Sequence, residues 1–186
     1  MTDTSPLLSL DYALLRFINK KAAHPVLDAV SFFMNKFRWY HIPLILIIGF
    51  PVFYYTTTPY AWYSIAGAIA VLLTCTDLTT FALRTIIKRP RPSDTLTDLR
   101  LLKGGGGHSP YSFPSSHASN AVGIAVFCFF ICRWASVPFI ILAITICLSR
   151  IYIGKHYPSD VVAGSLLGAG WAFGIYRIIV LLNIVY

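Results

Sequence analysis

The stretch WYHIPLILIIGFPVFYYTTTPYAWYSIAGAIAVLLTCT, from Trp39 to Thr76, contains no Asp, Glu, Lys or Arg. A bilayer-spanning helix needs about 20 mostly apolar residues, so this run holds nearly two spans, separated by the turn Thr56-Thr57-Thr58-Pro59. The rest of the chain agrees. Hydrophobic residues make up 56% of the 186 and charged residues 12%, against roughly 25% charged in an average soluble domain. The composition of a single domain over 1–186 is that of an integral membrane protein.

Working outward from that run, the sequence predicts an all-α, polytopic membrane helix bundle. The first span covers about 40–57, with Pro43 and Pro51 placed to kink it, and the second covers about 61–88, ending at Pro90. A polar loop over 90–113 carries the glycines Gly104 to Gly107. Three more spans follow, near 115–132, 135–153 and from Ser159 almost to the end, giving a bundle of five or six spans beside the N-terminal interfacial helices. Upstream, residues 1–36 read as interfacial helices. Leu10, Leu14, Leu15 and Ile18 fall on one helical face, with Asp11, Arg16, Lys20 and Lys21 mostly elsewhere. A second short helix begins at Pro25, and Lys36-Phe37-Arg38-Trp39-Tyr40 forms a basic aromatic belt at the membrane surface. No basic region precedes the first apolar patch, so the N-terminus does not read as a cleaved signal peptide.

The net charge of +8 does not imply nucleic acid as a partner, because the basic residues sit at the ends of apolar segments, where they meet headgroups or a phosphorylated substrate. The acids are seven Asp and no Glu. Sites for Mg²⁺ or paired metals need clustered carboxylates, so the sequence predicts neither metal nor other cofactor. Cys75, Cys128, Cys132 and Cys147 lie inside apolar segments with no CxxC spacing and read as buried small hydrophobes.

Counting turns places the 84–117 and 149–160 regions on one membrane face. Of the fifteen Lys and Arg, only Arg133 and Arg177 lie away from that face or the N-terminal segment that shares it. Three clusters converge there. The first is Arg84-Thr-Ile-Ile-Lys88-Arg89-Pro90-Arg91-Pro92; in a helix continuing to Pro90, Arg84 and Lys88 share a face one turn apart. The second is Ser112-Phe-Pro-Ser115-Ser116-His117. Serines ahead of an apolar span read as an N-cap, and a helix start offers unpaired N–H groups to an anion. The third, Ser149-Arg150 through Lys155-His156 to Asp160, puts an Arg, a His and an Asp at a span boundary. An Asp beside a His fixes its tautomer and leaves the other ring nitrogen free to attack. Asp160 is therefore expected about 2.6–3.2 Å from His156, or somewhat farther without substrate. Cations, two histidines and an orienting carboxylate are what phosphoryl transfer through a phosphohistidine requires. Asp77, mid-span and two turns deeper on the Arg84 face, reads as an interior partner of the cluster.

The three clusters resemble the signature of the type-2 phosphatidic-acid phosphatase superfamily, which also includes vanadium haloperoxidases: Lys-x6-Arg-Pro, Pro-Ser-Gly-His and Ser-Arg-x5-His-x3-Asp. Arg84 and Arg91-Pro92 match the first, with Arg in the Lys position, and Lys88 is placed to supply an ammonium. Pro114-Ser115-Ser116-His117 matches the second with Ser116 for Gly, and Ser149, Arg150, His156 and Asp160 match the third in full. The resemblance covers about 60–180. It implies a metal-independent hydrolase with His156 as nucleophile, Asp160 orienting it and His117 as general acid. Arg84, Arg91, Ser115, Ser116 and Arg150 would bind the phosphoryl group.

The resemblance further implies a phosphorylated membrane lipid as substrate, the lipid bilayer as setting and a multi-pass cell-membrane location with the site on the extracytoplasmic face. Undecaprenyl diphosphate is the lipid best matched by the chain's size. Phosphatidylglycerophosphate, phosphatidate and the 1-phosphate of lipid A are alternatives. A non-catalytic transporter or scaffold is the reading from another class, and it leaves both histidines and Asp160 without a purpose. The cation-rich face points the other way on sidedness, but several of those cations are needed for phosphate.

Overall fold

The computed structural model describes residues 6–36, 61–102, 109–134 and 136–183. The expected span over 40–57, the aromatic belt through Tyr40 and the glycine run at 104–107 lie outside the described residues. Among the described residues every extended element is helical: α1 (Pro6–Arg16), running into a π turn over Phe17–Lys21, α2 (Pro25–Lys36), α3 (Ala61–Ile87), α4 (Pro92–Thr95), α5 (Ser116–Ile131), α6 (Val137–Tyr152) and α7 (Pro158–Leu181). Prolines sit in the first turn of α4, α6 and α7, where a missing N–H costs nothing and the fixed φ suits the helix.

Among the described residues two helices, α3 from Ser64 and α7, are long and apolar enough to cross a membrane, and only 22% and 28% of their most apolar windows are buried inside the protein. Leu78, Phe81 and Ile86 on α3 and Val162, Leu166 and Leu181 on α7 stay exposed. A water-soluble protein does not leave such ridges bare; hydrocarbon solvates them. Helices α5 and α6 are apolar as well, at 16 residues each.

In a bilayer apolar burial drives helix association little, and close packing and interhelical hydrogen bonds decide it. Here α5 is central, packing on α3, α6 and α7. Ile65 and Leu72 of α3, Phe127 of α5, Ala143 of α6 and Ala172 of α7 meet in the main core. The α5–α7 seam depends on the small-xxx-small pair Gly164 and Gly168. A Cβ at Gly164 would run into the backbone oxygen of Ser115, and one at Gly168 into that of Ser119. Polar bonds add registry: Asn120 on α5 accepts from Thr76 Oγ1 at 2.5 Å and donates to Asp77 Oδ1 at 3.1 Å. Trp171 Nε1 donates to Thr79 Oγ1 at 3.2 Å.

A second, smaller core of Leu15, Leu99, Ala118, Ile151, Tyr157 and Val161 lies at the end of the bundle where the three motifs meet, and it brings in the N-terminal segment. The orientation of α1 differs from the simple amphipathic reading. Leu10 and Leu14 are exposed, whereas Asp11, Leu15 and Asn19 are buried. Asp11 and Asn19 turn inward because their partners are there. Asn19 Nδ2 donates to the Tyr152 carbonyl at 2.7 Å and the Arg100 carbonyl at 2.9 Å, and its Oδ1 accepts from the Arg100 N–H at 2.8 Å. On α2, Asp28 pairs with Arg100.

Candidate active site

Helix α3 stops at Ile87, short of the expected Pro90. Pro90 pushes Arg89 before it out of the helical region, and Lys88, one residue earlier, already leaves the helix in the left-handed region at φ +51°. Lys88 is exposed. The expected pairing of Arg84 and Lys88 on one helical face is thereby corrected. Arg84, still on α3, donates from Nε and Nη2 to the Pro114 carbonyl at 3.0 and 2.9 Å, and from Nη2 to Ser116 Oγ at 3.0 Å. The first cluster is thus tied to the second.

Ser115 caps α5 from an extended backbone, its Oγ accepting from the Ala118 N–H. His117 follows in the first turn, partly exposed. The Ser115 N–H donates to the Asp160 carbonyl at 3.0 Å, joining the second cluster to the third. Arg91 closes the ring. Its Nε donates to the Ser109 carbonyl at 2.8 Å and its Nη1 to the Lys155 carbonyl at 3.3 Å. All three clusters stand at one end of the bundle.

His156 is 2% exposed. Burial pushes its pKa down to about 4; Asp160 opposes this, and the neighbouring Arg91 and Arg84 reinforce it. The imidazole is then neutral at physiological pH. Its Nδ1 lies 3.6 Å from Asp160 Oδ2 and has no hydrogen-bond partner. That is longer than about 2.6–3.2 Å and is the looser spacing expected without substrate, and both carboxylate oxygens are held by other donors. Oδ2 accepts the Tyr157 N–H at 2.8 Å and Oδ1 accepts Arg89 Nη1 at 2.6 Å.

Apart from Asp160, the charge near this histidine is positive. Arg91, Arg150 and Lys155 are all buried. Arg150 reaches α2 through Nη1 to Asn35 Oδ1 at 3.1 Å and Nη2 to the Met34 carbonyl at 3.0 Å, while its Nε has no partner. Burial, then Arg91 and Arg150, push the Lys155 ammonium down to about 8. Among the described residues none of these three cations has a carboxylate at ion-pair distance. Buried charge without a counter-charge is costly, and a bound anion removes the cost.

Two groups escaped the sequence reading. Lys155 was visible beside His156, but spacing alone gave no sign that it is buried. Arg89 stood among the basic residues of the first cluster, and the structure makes it the clamp on Asp160. It also pairs with Asp11 and lies 3.9 Å over the Tyr157 ring. The opposing rarity of acids was the available signal: Asp11 is one of only seven. Asp77, expected to face inward, has an exposed side chain, and Asn120 is its partner on α5. Among the described residues no group of three or more His, Cys, Asp or Glu is placed to hold a metal.

Residues 60–183 match the family described as the PAP2 superfamily. The chain belongs to the PAP2 superfamily. Among its relatives, a lipid A 4'-phosphatase of Bacteroides thetaiotaomicron is 39% identical over 114 residues, which cover 57% of this chain and 51% of that one. Phosphatidylglycerophosphatase B of Bacillus subtilis is 32% identical over 141 residues, 68% of this chain and 62% of the relative. The chain thus spans about half to two thirds of the length of these curated relatives. The crystal structure of a transmembrane PAP2 type phosphatidylglycerolphosphate phosphatase from Bacillus subtilis superposes with a TM-score of 0.71 at 25% identity, covering 95% of this chain and 87% of that one.

Proposed function

We propose that this PAP2 chain is a membrane lipid phosphatase that passes the phosphoryl group through His156. The observation that carries the reading is the neutral, buried His156 beside three buried cations that lack carboxylate partners among the described residues. The relatives' names, which denote lipid phosphatases, agree with it.

In this mechanism the phosphoryl oxygens lie against Arg91, Arg150 and Lys155, with Arg84, Ser115 and Ser116 holding the helix start beside them. His156 attacks phosphorus through Nε2. Asp160 approaches Nδ1 and stabilises the positive charge that develops on the ring. His117 gives a proton to the leaving oxygen, then takes one from the water that cleaves the phosphohistidine. Every charge change is met by fixed groups, so no metal is required. In this reading the site lies at the water boundary on the extracytoplasmic side, where a headgroup enters while its tail stays in hydrocarbon.

Motif residues grip only the phosphate. Chain size favours undecaprenyl diphosphate, whereas the 39% identity to a lipid A 4'-phosphatase favours a glycolipid phosphate. Purified protein assayed for phosphate release from undecaprenyl diphosphate, lipid A, phosphatidylglycerophosphate and phosphatidate separates them. Release from none of the four by well-folded protein rejects the phosphatase reading.

A further inference from the structure

The N-terminal helix reaches the proposed site through one carboxylate. Asp11 is 7% exposed. Its Oδ2 accepts from Arg89 Nη2 at 2.8 Å, and its Oδ1 accepts from the Ser159 N–H at 2.9 Å. The Ser159 hydroxyl bonds the same carboxylate and also accepts from Arg89 Nη1 at 2.7 Å. Arg89 Nη1 in turn donates to Asp160 Oδ1 at 2.6 Å. One guanidinium therefore lies between two carboxylates, braced over the Tyr157 ring.

The division of that guanidinium matters. An arginine facing a single carboxylate tends to engage both oxygens in a bidentate pair. Arg89 does not: Asp160 receives only Nη1, because Nη2 is committed to Asp11. Asp160 Oδ2 is left with the Tyr157 N–H and the His156 ring 3.6 Å away. Burial works against the charge on Arg89, and Asp11 and Asp160 together outweigh it, so the guanidinium stays charged.

We infer that Asp11 is a positioning residue: by holding one arm of Arg89 it prevents a bidentate Arg89–Asp160 pair and so leaves Asp160 available to His156. The N-terminal segment, which lies outside the 60–183 family match, then completes the site. The inference rests on the phosphatase reading above. Without the Asp11 charge, Arg89 turns both arms to Asp160, the carboxylate draws away from Nδ1, and phosphorylation of His156 slows.

The test compares Asp11→Asn, Asp11→Glu and His156→Ala in the full chain, with phosphate release from the best lipid of the panel. Asp11→Asn is expected to lower kcat about 10- to 100-fold, the scale of a lost charge-assisted hydrogen bond, with KM within about twofold because the phosphate-facing cations are untouched. Asp11→Glu restores a carboxylate on the same helix and should recover most of kcat. A wild-type kcat in Asp11→Asn overturns the inference, as does a Glu variant no better than Asn, which would mark packing and not charge as the cause. In either case an inactive His156→Ala leaves the phosphatase reading intact. Turnover by His156→Ala removes His156 as the nucleophile, and with it the mechanism on which the inference rests.

Discussion

The backbone N–H of Ser115 donates to the carbonyl of Asp160 at 3.0 Å. The start of α5, which presents Ser116 and His117, and the start of α7, which carries Asp160, are therefore joined by main chain, independent of any side-chain rotamer. Gly164, one turn beyond Asp160, makes the approach possible, since any Cβ there would meet the Ser115 oxygen.

Gly164→Ala should accordingly damage stability and activity together. Neither the Ser115 backbone nor α7 can yield without opening the joint, and overpacking of this kind costs about 1–3 kcal/mol. Gly170, whose Cβ would meet nothing within 4 Å, supplies the control: Gly170→Ala should leave Tm and turnover near wild type. Unchanged Tm and unchanged turnover in the Gly164→Ala protein would show that the seam does not set the site.

The two histidines should separate by step. His156→Ala removes the proposed nucleophile, so neither turnover nor trapped phosphoenzyme is expected. His117→Ala removes proton transfer, worth about 10²–10⁴-fold, with the greatest loss for substrates with poor leaving groups. Labelled phosphate appearing on the His156→Ala protein would reassign the nucleophile.

The described helices and the convergence of the three clusters were legible because each signal is local: the charge-free stretch from Ala61 to Thr76, prolines at helix starts, serines before an apolar span. Helix α3 ending at Ile87 was legible only to a few residues, since Pro90 forbids continuation without fixing where the turn falls. The inward face of α1 was not legible. Asp11 and Asn19 turn in because Arg89, Arg100 and Tyr152, distant in sequence, offer them partners, and no periodicity encodes a partner. Lys155 was hidden for the same reason, its burial coming from the packing around Arg91 and Arg150.

Lys155 gives the site a pH dependence. Its ammonium is pushed down to about 8 by burial and by Arg91 and Arg150, while His156 stays neutral down to about 4. As pH rises through about 8 the empty site loses one cation, so KM for a phosphorylated lipid should climb between about pH 7 and about pH 9, before other lysines titrate near 10.4. The folded chain binds this proton more weakly than the unfolded chain does, so Lys155 contributes stability that increases with pH from about 8 to about 10.4. Lys155→Gln should flatten the KM rise. A flat KM profile in the wild-type enzyme would remove Lys155 from phosphate binding.

An anion that resembles the transition state should answer the charge imbalance directly. Arg91, Arg150 and Lys155 are buried together, and Arg150 Nε has no partner. Orthovanadate, which accepts a fifth ligand as phosphorus does during transfer, should bind there, inhibit, and raise Tm. A ligand at 100 times its Kd stabilises by about 2.7 kcal/mol, a shift measurable in detergent. Arg150→Ala should weaken both effects in parallel, because one group serves both. The same preparation should keep its full rate in excess EDTA, since cations of the chain carry the charge that a metal would otherwise neutralise. Loss of activity in EDTA with recovery on adding Mg²⁺ would defeat the metal-free mechanism, and vanadate that neither inhibits nor stabilises would show that the cation cluster is not an anion site.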